Sequence, residues 1–165
     1  MTSNSKFLVI LTGFLVGVFV FALIFLNQLG TGSAKREIKI NGQVIIADYV
    51  ADETSREKGL SGRDHLGFNE GMLFNFDQSA NYGFWMKDMK FPIDIIWIHE
   101  NKIVGFEENI DPQIGANSAE LKVYYPGTPV ERVLELSAGR AKILGAKIGD
   151  NVMILPFVRQ FAAQN

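Results

Sequence analysis

The pattern of apolar and polar residues divides the chain into two parts. Residues Phe7 to Leu26 form a run of 20 residues without a single charge. A helix of that length spans about 30 Å, which matches the hydrocarbon core of a bilayer. Because the run is apolar on every side, it predicts a transmembrane helix that inserts into the lipid bilayer, and not an amphipathic core helix. From residue 35 onward, short apolar stretches alternate with turn residues.

The sequence leaves open whether this segment is kept as an anchor or removed as a signal peptide. A cleavable signal has an apolar core of about 7 to 15 residues, so the length favours an anchor. The small residues Gly32 to Ala34 would nevertheless suit a cleavage site. We therefore predict an anchor or signal peptide with its tether over residues 1–34, one β-rich domain over 35–157 and a tail over 158–165.

The orientation of the predicted anchor depends on the flanking charges. Lys6 lies on one side, while Lys35, Arg36 and Lys39 lie on the other, so the positive-inside rule does not decide. The resemblance of the segment to an export signal favours the N-terminus inside. We expect a single-pass protein of the cell membrane with its domain on the outer (periplasmic or extracellular) face, secreted if cleavage occurs near Ala34.

The first globular residues predict a hairpin followed by a short helix. Asn41-Gly42 separates two apolar runs, and both residues tolerate the positive φ of a type I′ turn. Thr54 with Glu57 forms a capping-box pattern, and Gly59 is placed to end that helix.

The remaining pattern is typical of many short strands. A second short helix is predicted from Ala138 to Leu144, stopped by Gly145. The expected fold is mainly β (α+β), an antiparallel sheet or partly open barrel with two short helices, preceded by the transmembrane helix. The strands predicted after the hairpin are Met72–Asp77, Tyr82–Lys87, Ile93–His99, Lys102–Ile110, Leu121–Tyr125, Val130–Leu136 and Asn151–Leu155.

Composition narrows the possible functions. The chain has no cysteine, which excludes thiol nucleophiles, disulfides and cysteine metal sites. Its formal net charge of −2 argues against nucleic acid as a partner, since binding to phosphates needs clustered cations. The two histidines lie in no ligand motif, and Glu107-Glu108 with Asp111 does not have the spacing of a calcium loop. We predict no metal and no cofactor.

Several segments together resemble the domain of unknown function 192 family, which is widespread in bacteria and archaea. The most specific of these is FWMKDMKFPIDIIWI, from Phe84 to Ile98. The resemblance implies a fold and, through the N-terminal signal or anchor common in the family, an envelope location, but no activity. The other segments are GLSGRDHL (Gly59 to Leu66), GMLFNF (Gly71 to Phe76), VLELSAG (Val133 to Gly139) and AKIGD (Ala146 to Asp150).

Asp94 is the most informative polar position. It begins the strand IDIIWIH, whose two faces are otherwise apolar, and a buried carboxylate needs a partner. Lys87 closes the preceding predicted strand and is the candidate partner. The pair either fixes the turn between the strands or forms the polar floor of a ligand pocket lined by Phe84, Trp85 and Trp97.

Two further residues are candidates for the site. Glu135 lies between Leu134 and Leu136, so strand alternation places it on the opposite face, most simply towards solvent. Arg63, next to Asp64 in a glycine-rich stretch, would bind an anionic group or form a local salt link.

Three functions remain open from these residues. The first is a non-catalytic, membrane-tethered binding or accessory domain with an unknown small-molecule or envelope-protein partner, its bilayer contact made by Phe7 to Leu26. The second is a small envelope hydrolase that uses Asp94 or Glu135 as general acid or base. The third is a structural domain that recruits another envelope protein.

Overall fold

The first two strands form the predicted hairpin. In the computed structural model, which describes residues 34–156, β1 (Lys35–Ile40) pairs antiparallel with β2 (Gln43–Val50). Asn41 and Gly42 have φ angles of 49° and 77°, as a type I′ turn requires. The predicted membrane segment and the tail lie outside the described residues. Within residues 34–156, every helix is too short or too polar to cross a bilayer.

Seven further strands and two short helices follow, so the fold is mainly β as predicted. They are α1 (Glu53–Lys58), β3 (Glu70–Ala80), β4 (Phe84–Trp85), β5 (Ile93–His99), β6 (Lys102–Ile110), β7 (Val123–Tyr124), β8 (Val130–Ser137), α2 (Arg140–Ile143) and β9 (Met153–Pro156). Two strands are shorter than predicted. Only two residues of the predicted strand Tyr82–Lys87 form β4, and only two of Leu121–Tyr125 form β7. These two short strands pair with each other outside the main sheet.

The main sheet is open and mixed, not a barrel and not wholly antiparallel. Its strand order is β6-β5-β8-β3-β2-β1-β9, and β2 pairs parallel with β3 while the other neighbours are antiparallel. A parallel pair cannot be joined by a tight turn, so the chain crosses over through α1 and the glycine-rich stretch after it. The cap of α1 also differs from the prediction: the Asp52 side chain accepts from the Ser55 N–H, in place of a Thr54–Glu57 capping box.

Apolar side chains cover both faces of the central strands β3, β5 and β8. One face, which we call the aromatic face, carries Met72, Phe74, Ile95, Trp97 and Val133. The opposite face carries Leu73, Ile96, Ile98, Leu134 and Leu136, and α2 packs there through Ala141 and Leu144. Because apolar residues flank both faces of the middle of these strands, a polar side chain on either face is buried there. This arrangement decides where Glu135 lies.

Candidate functional site

Glu135 lies on the aromatic face of the central strand β8. Its neighbours across the sheet are Met72 on β3 and Ile95 on β5, both buried. The residue is 5% exposed, so the expectation that it faces solvent is wrong. Alternation did separate it from Leu134 and Leu136, but in a strand covered on both sides the opposite face is also core.

The Glu135 carboxyl is chemically unusual. Its Oε2 is buried and has no hydrogen-bond partner among the described residues. Burial raises the pKa of this carboxyl to about 8, against the opposing effect of the Arg63 charge. A carboxyl with that pKa is mostly protonated at neutral pH and offers both an O–H donor and an acceptor.

Arg63 reaches the same face from the stretch that follows α1. Its Nη2 donates to Asp48 Oδ2 at 2.7 Å, so the salt link predicted for Arg63 forms with a residue of β2 and not with Asp64. Two hydrogen bonds to the turn after β4 hold this stretch in place. Ser61 Oγ donates to the Lys87 carbonyl at 2.8 Å, and the Gly62 N–H donates to the Asp88 carbonyl at 3.0 Å. Arg63 thus acts on Glu135 from a fixed position.

A cavity of about 350 Å³ opens above Glu135. Phe76 stacks on Tyr82 with ring centroids 3.6 Å apart, and Phe84 meets Phe74 edge-on at 4.9 Å. The volume lies in the range of small-molecule sites, which are mostly apolar with a few polar groups. The aromatic side chains that line it are Phe74, Phe76, Tyr82, Phe84 and Trp85.

Of the three aromatic residues predicted to line a pocket, two line the cavity and the third lies behind its wall. Phe84 is 9% exposed and forms part of the wall, while Trp85 is 47% exposed at the mouth. Trp97 is buried behind Phe84, with ring centroids 5.5 Å apart, and is not among the lining residues.

Helix α1 provides the polar rim of the cavity. Glu53, Arg56, Glu57 and Lys58 all contribute to it, so acidic and basic groups are equal in number. Arg56 is held by the carbonyls of Ala51 and Asn75, and its guanidinium lies 4.9 Å from the centre of the Phe76 ring.

The hydrogen-bond partners of Asp94 differ from the one expected. Its Oδ1 accepts the N–H groups of Asn109 and Gly139 at 2.8 and 3.0 Å, and its Oδ2 accepts that of Ala141 at 2.9 Å. It is fully buried, and the carboxyl lies outside the cavity lining. Backbone N–H groups therefore replace Lys87 as its partners, and Glu135 provides the polar floor that was predicted for Asp94.

Lys87 belongs to a separate cavity. The turn that contains Lys87, Asp88 and Lys90 lines it on one side and residues 113–118 on the other, around a volume of about 630 Å³. The two cavities share Met89 as a lining residue. The structure therefore brings Phe84, Trp85 and Glu135 together with Arg63 nearby, and leaves Lys87, Asp94 and Trp97 out.

Four residues of the site were not predicted from the sequence, namely Asp48, Phe74, Phe76 and Tyr82. Phe74 and Phe76 are two positions apart in β3, so strand alternation alone predicts that they share a face. By contrast, the pairing of Asp48 with Arg63 spans 15 residues and depends on the parallel β2–β3 contact, for which the sequence has no local signal.

A second polar cluster contains Ser79, His99 and Glu131. The Ser79 hydroxyl and a Glu131 carboxylate oxygen both lie against His99 Nδ1, at 3.4 and 2.8 Å. A relay from serine through histidine to a carboxylate uses opposite ring nitrogens, so this geometry does not activate the serine. Within residues 34–156, no three histidine or carboxylate side chains converge to hold a metal ion.

Comparison with known proteins places these observations in a family. The family model DUF192, described as "Uncharacterized ACR", matches residues 36–154. No curated protein matches the chain.

Two crystal structures are similar to the domain. One is a Sinorhizobium meliloti protein whose name proposes a role in transcription regulation; it is 29% identical, the match covers 75% of this chain and 96% of that one, and the TM-score is 0.67. The other is a protein of unknown function from Novosphingobium aromaticivorans, 25% identical over 72% of this chain and 83% of that one, with a TM-score of 0.62.

Proposed function

The chain belongs to the DUF192 family, and we propose that its domain binds a small molecule in the cavity above Glu135 without catalysing a reaction. We further propose that Phe7 to Leu26 tether this binding domain to the outer face of the cell membrane. The role named for the Sinorhizobium relative is not extended to this chain, because a net charge of −2 does not favour contact with a phosphate backbone.

One observation carries the proposed binding. Glu135 Oε2 is buried at the floor of an aromatic cavity and lacks a partner among the described residues. Burying a polar atom without a hydrogen bond is costly, and most such atoms in native proteins are paired. A ligand that fills the cavity and reaches its floor would supply that partner.

The tether is supported by the sequence. A run of 20 uncharged residues fits the hydrocarbon thickness, and residues 27–34 (NQLGTGSA) provide a short polar connection to β1. A site on the outer face would then be open to molecules of the envelope or the medium.

Binding is tested by screening small molecules against the full-length protein with tryptophan fluorescence and NMR line broadening. We expect compounds with an apolar body and one polar group to bind, and Trp85→Ala to weaken that binding at least tenfold. Phe68→Ala is the matched control, since Phe68 is 58% exposed and does not line the cavity. A ligand whose affinity is equal in the wild type and in Trp85→Ala would contradict the proposal.

Location is tested separately with protease added to intact cells. We expect the full-length protein in the membrane fraction and its domain digested from outside. A domain that resists external protease until the membrane is broken would contradict the proposed orientation, whatever the cavity binds.

A hydrolase remains the second candidate, and the raised pKa of Glu135 favours it. A carboxyl that is still protonated at neutral pH is suited to act as a general acid. Asp94 is less suited, because three backbone N–H groups already occupy its oxygens. Turnover of a model ester or glycoside that is lost in Glu135→Gln and falls above about pH 8 would favour the enzyme over the binding domain.

A further inference from the structure

We propose, building on the proposed binding function, that the ligand of this cavity is an organic cation whose charged group pairs with the Glu135 carboxylate and packs against the aromatic walls. The ligand class is a substituted ammonium or similar group on a small organic body. Three features of the cavity lead to this class.

The first feature is the combination of floor and walls. A carboxylate at the base of a cavity lined by five aromatic side chains places a full negative charge close to aromatic rings. Cages of this kind attract ammonium groups through cation–π interactions, which strengthen when water is excluded. Phe76 already attracts the guanidinium of Arg56 at 4.9 Å, and Trp85 at the mouth has the ring type that attracts cations most strongly.

The second feature is the charge balance around Glu135. On the rim, Glu53 and Glu57 offset Arg56 and Lys58. Arg63 pairs with Asp48 at 2.7 Å, and Asp48 also pairs with Lys35 at 3.4 Å, so Arg63 keeps an attractive effect on ionised Glu135.

The neighbours of Glu135 on the same face of the adjoining strands are apolar, namely Met72 on β3 and Ile95 on β5. Tyr82 is the other titratable side chain of the aromatic wall, and its hydroxyl donates to the Gln78 carbonyl at 2.7 Å. Ionised Glu135 would thus have Arg63 as a nearby cation but, within the described part of the chain, no hydrogen-bond partner for its Oε2, and a cationic ligand in the cavity would neutralise it directly.

The third feature is that the site is set to exchange a proton for a cation. With a pKa of about 8, roughly one Glu135 in ten is ionised at pH 7, so the proton imposes about a tenfold penalty on cation binding there. Binding of a permanent cation therefore releases a proton. As the pH is raised towards 8, the affinity for the cation should increase about tenfold per pH unit. Above pH 8 the affinity should become constant.

The experiment uses choline as a permanent cation and its uncharged isostere, in which a tert-butyl group replaces the trimethylammonium group. Calorimetry on the full-length protein is run at several pH values, in two buffers of different ionisation enthalpy so that proton release is counted. We expect choline affinity to rise about tenfold between pH 6 and 7 with release of about one proton, and the isostere to show no such dependence.

Two variants assign the effect to Glu135. Glu135→Gln keeps the shape and the hydrogen-bonding capacity of the side chain, so it should bind choline at least tenfold more weakly at pH 8 and lose the pH dependence. Glu57→Gln removes a negative charge from the rim of the same cavity and should retain the pH dependence. The wild-type pH profile is decisive by itself should Glu135→Gln not fold.

The outcomes separate this inference from the proposed function. Choline binding that is independent of pH, or an isostere that binds as tightly as choline, would overturn the cationic ligand while leaving a ligand-binding cavity in place. Failure of both probes, together with a screen in which Trp85→Ala alters no binding, would overturn the cavity as a binding site as well.

Discussion

Asp94 at the start of β5 and Ala141 in α2 are joined by a hydrogen bond of 2.9 Å from the Ala141 N–H to the Asp94 carboxylate. The same carboxylate also accepts the N–H groups of Gly139 and Asn109, so one side chain ties β5, β6 and the turn into α2. Each of these donors would otherwise be buried or half-buried without a partner. Asp94 is therefore a structural residue.

Asp94→Asn should destabilise the domain without acting on the cavity. The amide presents an N–H₂ group to backbone donors, so at least one hydrogen bond to a charged group is lost, and we expect the free energy of unfolding to fall by about 2 to 4 kcal/mol. Chemical denaturation followed by tryptophan fluorescence measures this. The control is Asp77→Asn on the exposed part of β3, and a loss for Asp94→Asn no greater than for this control would refute the structural role.

Glu135 should make the domain less stable as the pH rises. Its pKa is about 8 in the folded state against an ordinary value of 4.5, so between these values the folded protein keeps a proton that the unfolded chain has lost. The stabilisation is complete below about pH 4.5 and declines by about 1.4 kcal/mol per pH unit until it is gone above about pH 8.

Glu135→Gln isolates this effect, because glutamine does not titrate. Denaturation of both proteins between pH 5 and pH 8 should show the wild type losing stability relative to the variant. Parallel stability profiles across that window would mean that the pKa of Glu135 is not raised.

Arg63→Met should raise the pKa of Glu135 further. The guanidinium opposes the effect of burial on this carboxyl, and methionine preserves much of the side-chain volume without the charge. The measurement is an NMR titration of the Glu135 side-chain carbon. Arg36→Met serves as the control, since Arg36 stacks on Tyr49 away from the cavity lining and its loss should leave the titration unchanged.

Gly83→Ala should disturb the wall of the cavity through the β4–β7 ribbon. A Cβ at Gly83 would lie 2.7 Å from Val123 Cγ1 and 2.9 Å from the Tyr125 ring, so these two side chains would have to shift. We expect a loss of about 1 to 3 kcal/mol in stability and weaker binding of any cavity ligand.

Gly127→Ala is the matched control for this change, because a Cβ at Gly127 meets no atom within 4 Å. Equal stability and equal ligand affinity in the two variants would show that the close approach at Gly83 does not shape the site.

The local signals in the sequence predicted local structure well. Asn41-Gly42 predicted the hairpin turn, and the predicted strands Ile93–His99 and Lys102–Ile110 match β5 and β6, with Glu100-Asn101 at φ angles of 48° and 61° between them. Where the prediction depended on the partner of a strand, it was less accurate. The pairing of β2 with β3 is parallel, and β4 and β7 are much shorter than their apolar runs.

The candidate site shows the same division. The aromatic and charged residues around Phe84 to Asp94 were recognisable as a group, yet the structure places Asp94 and Lys87 away from the cavity and Glu135 at its floor. Alternation along β8 assigns Glu135 to one face, but whether that face meets water depends on what packs over it.

The sequence by itself determined the strand-rich composition, the turns, the family and the uncharged N-terminal run, because each depends on residue types at short spacing. Only the tertiary structure decided that Asp94 is held by backbone N–H groups and that Glu135 is buried beneath aromatic rings. The physical reason is that burial and pKa depend on neighbours from distant segments, which the order of residues along one strand does not specify.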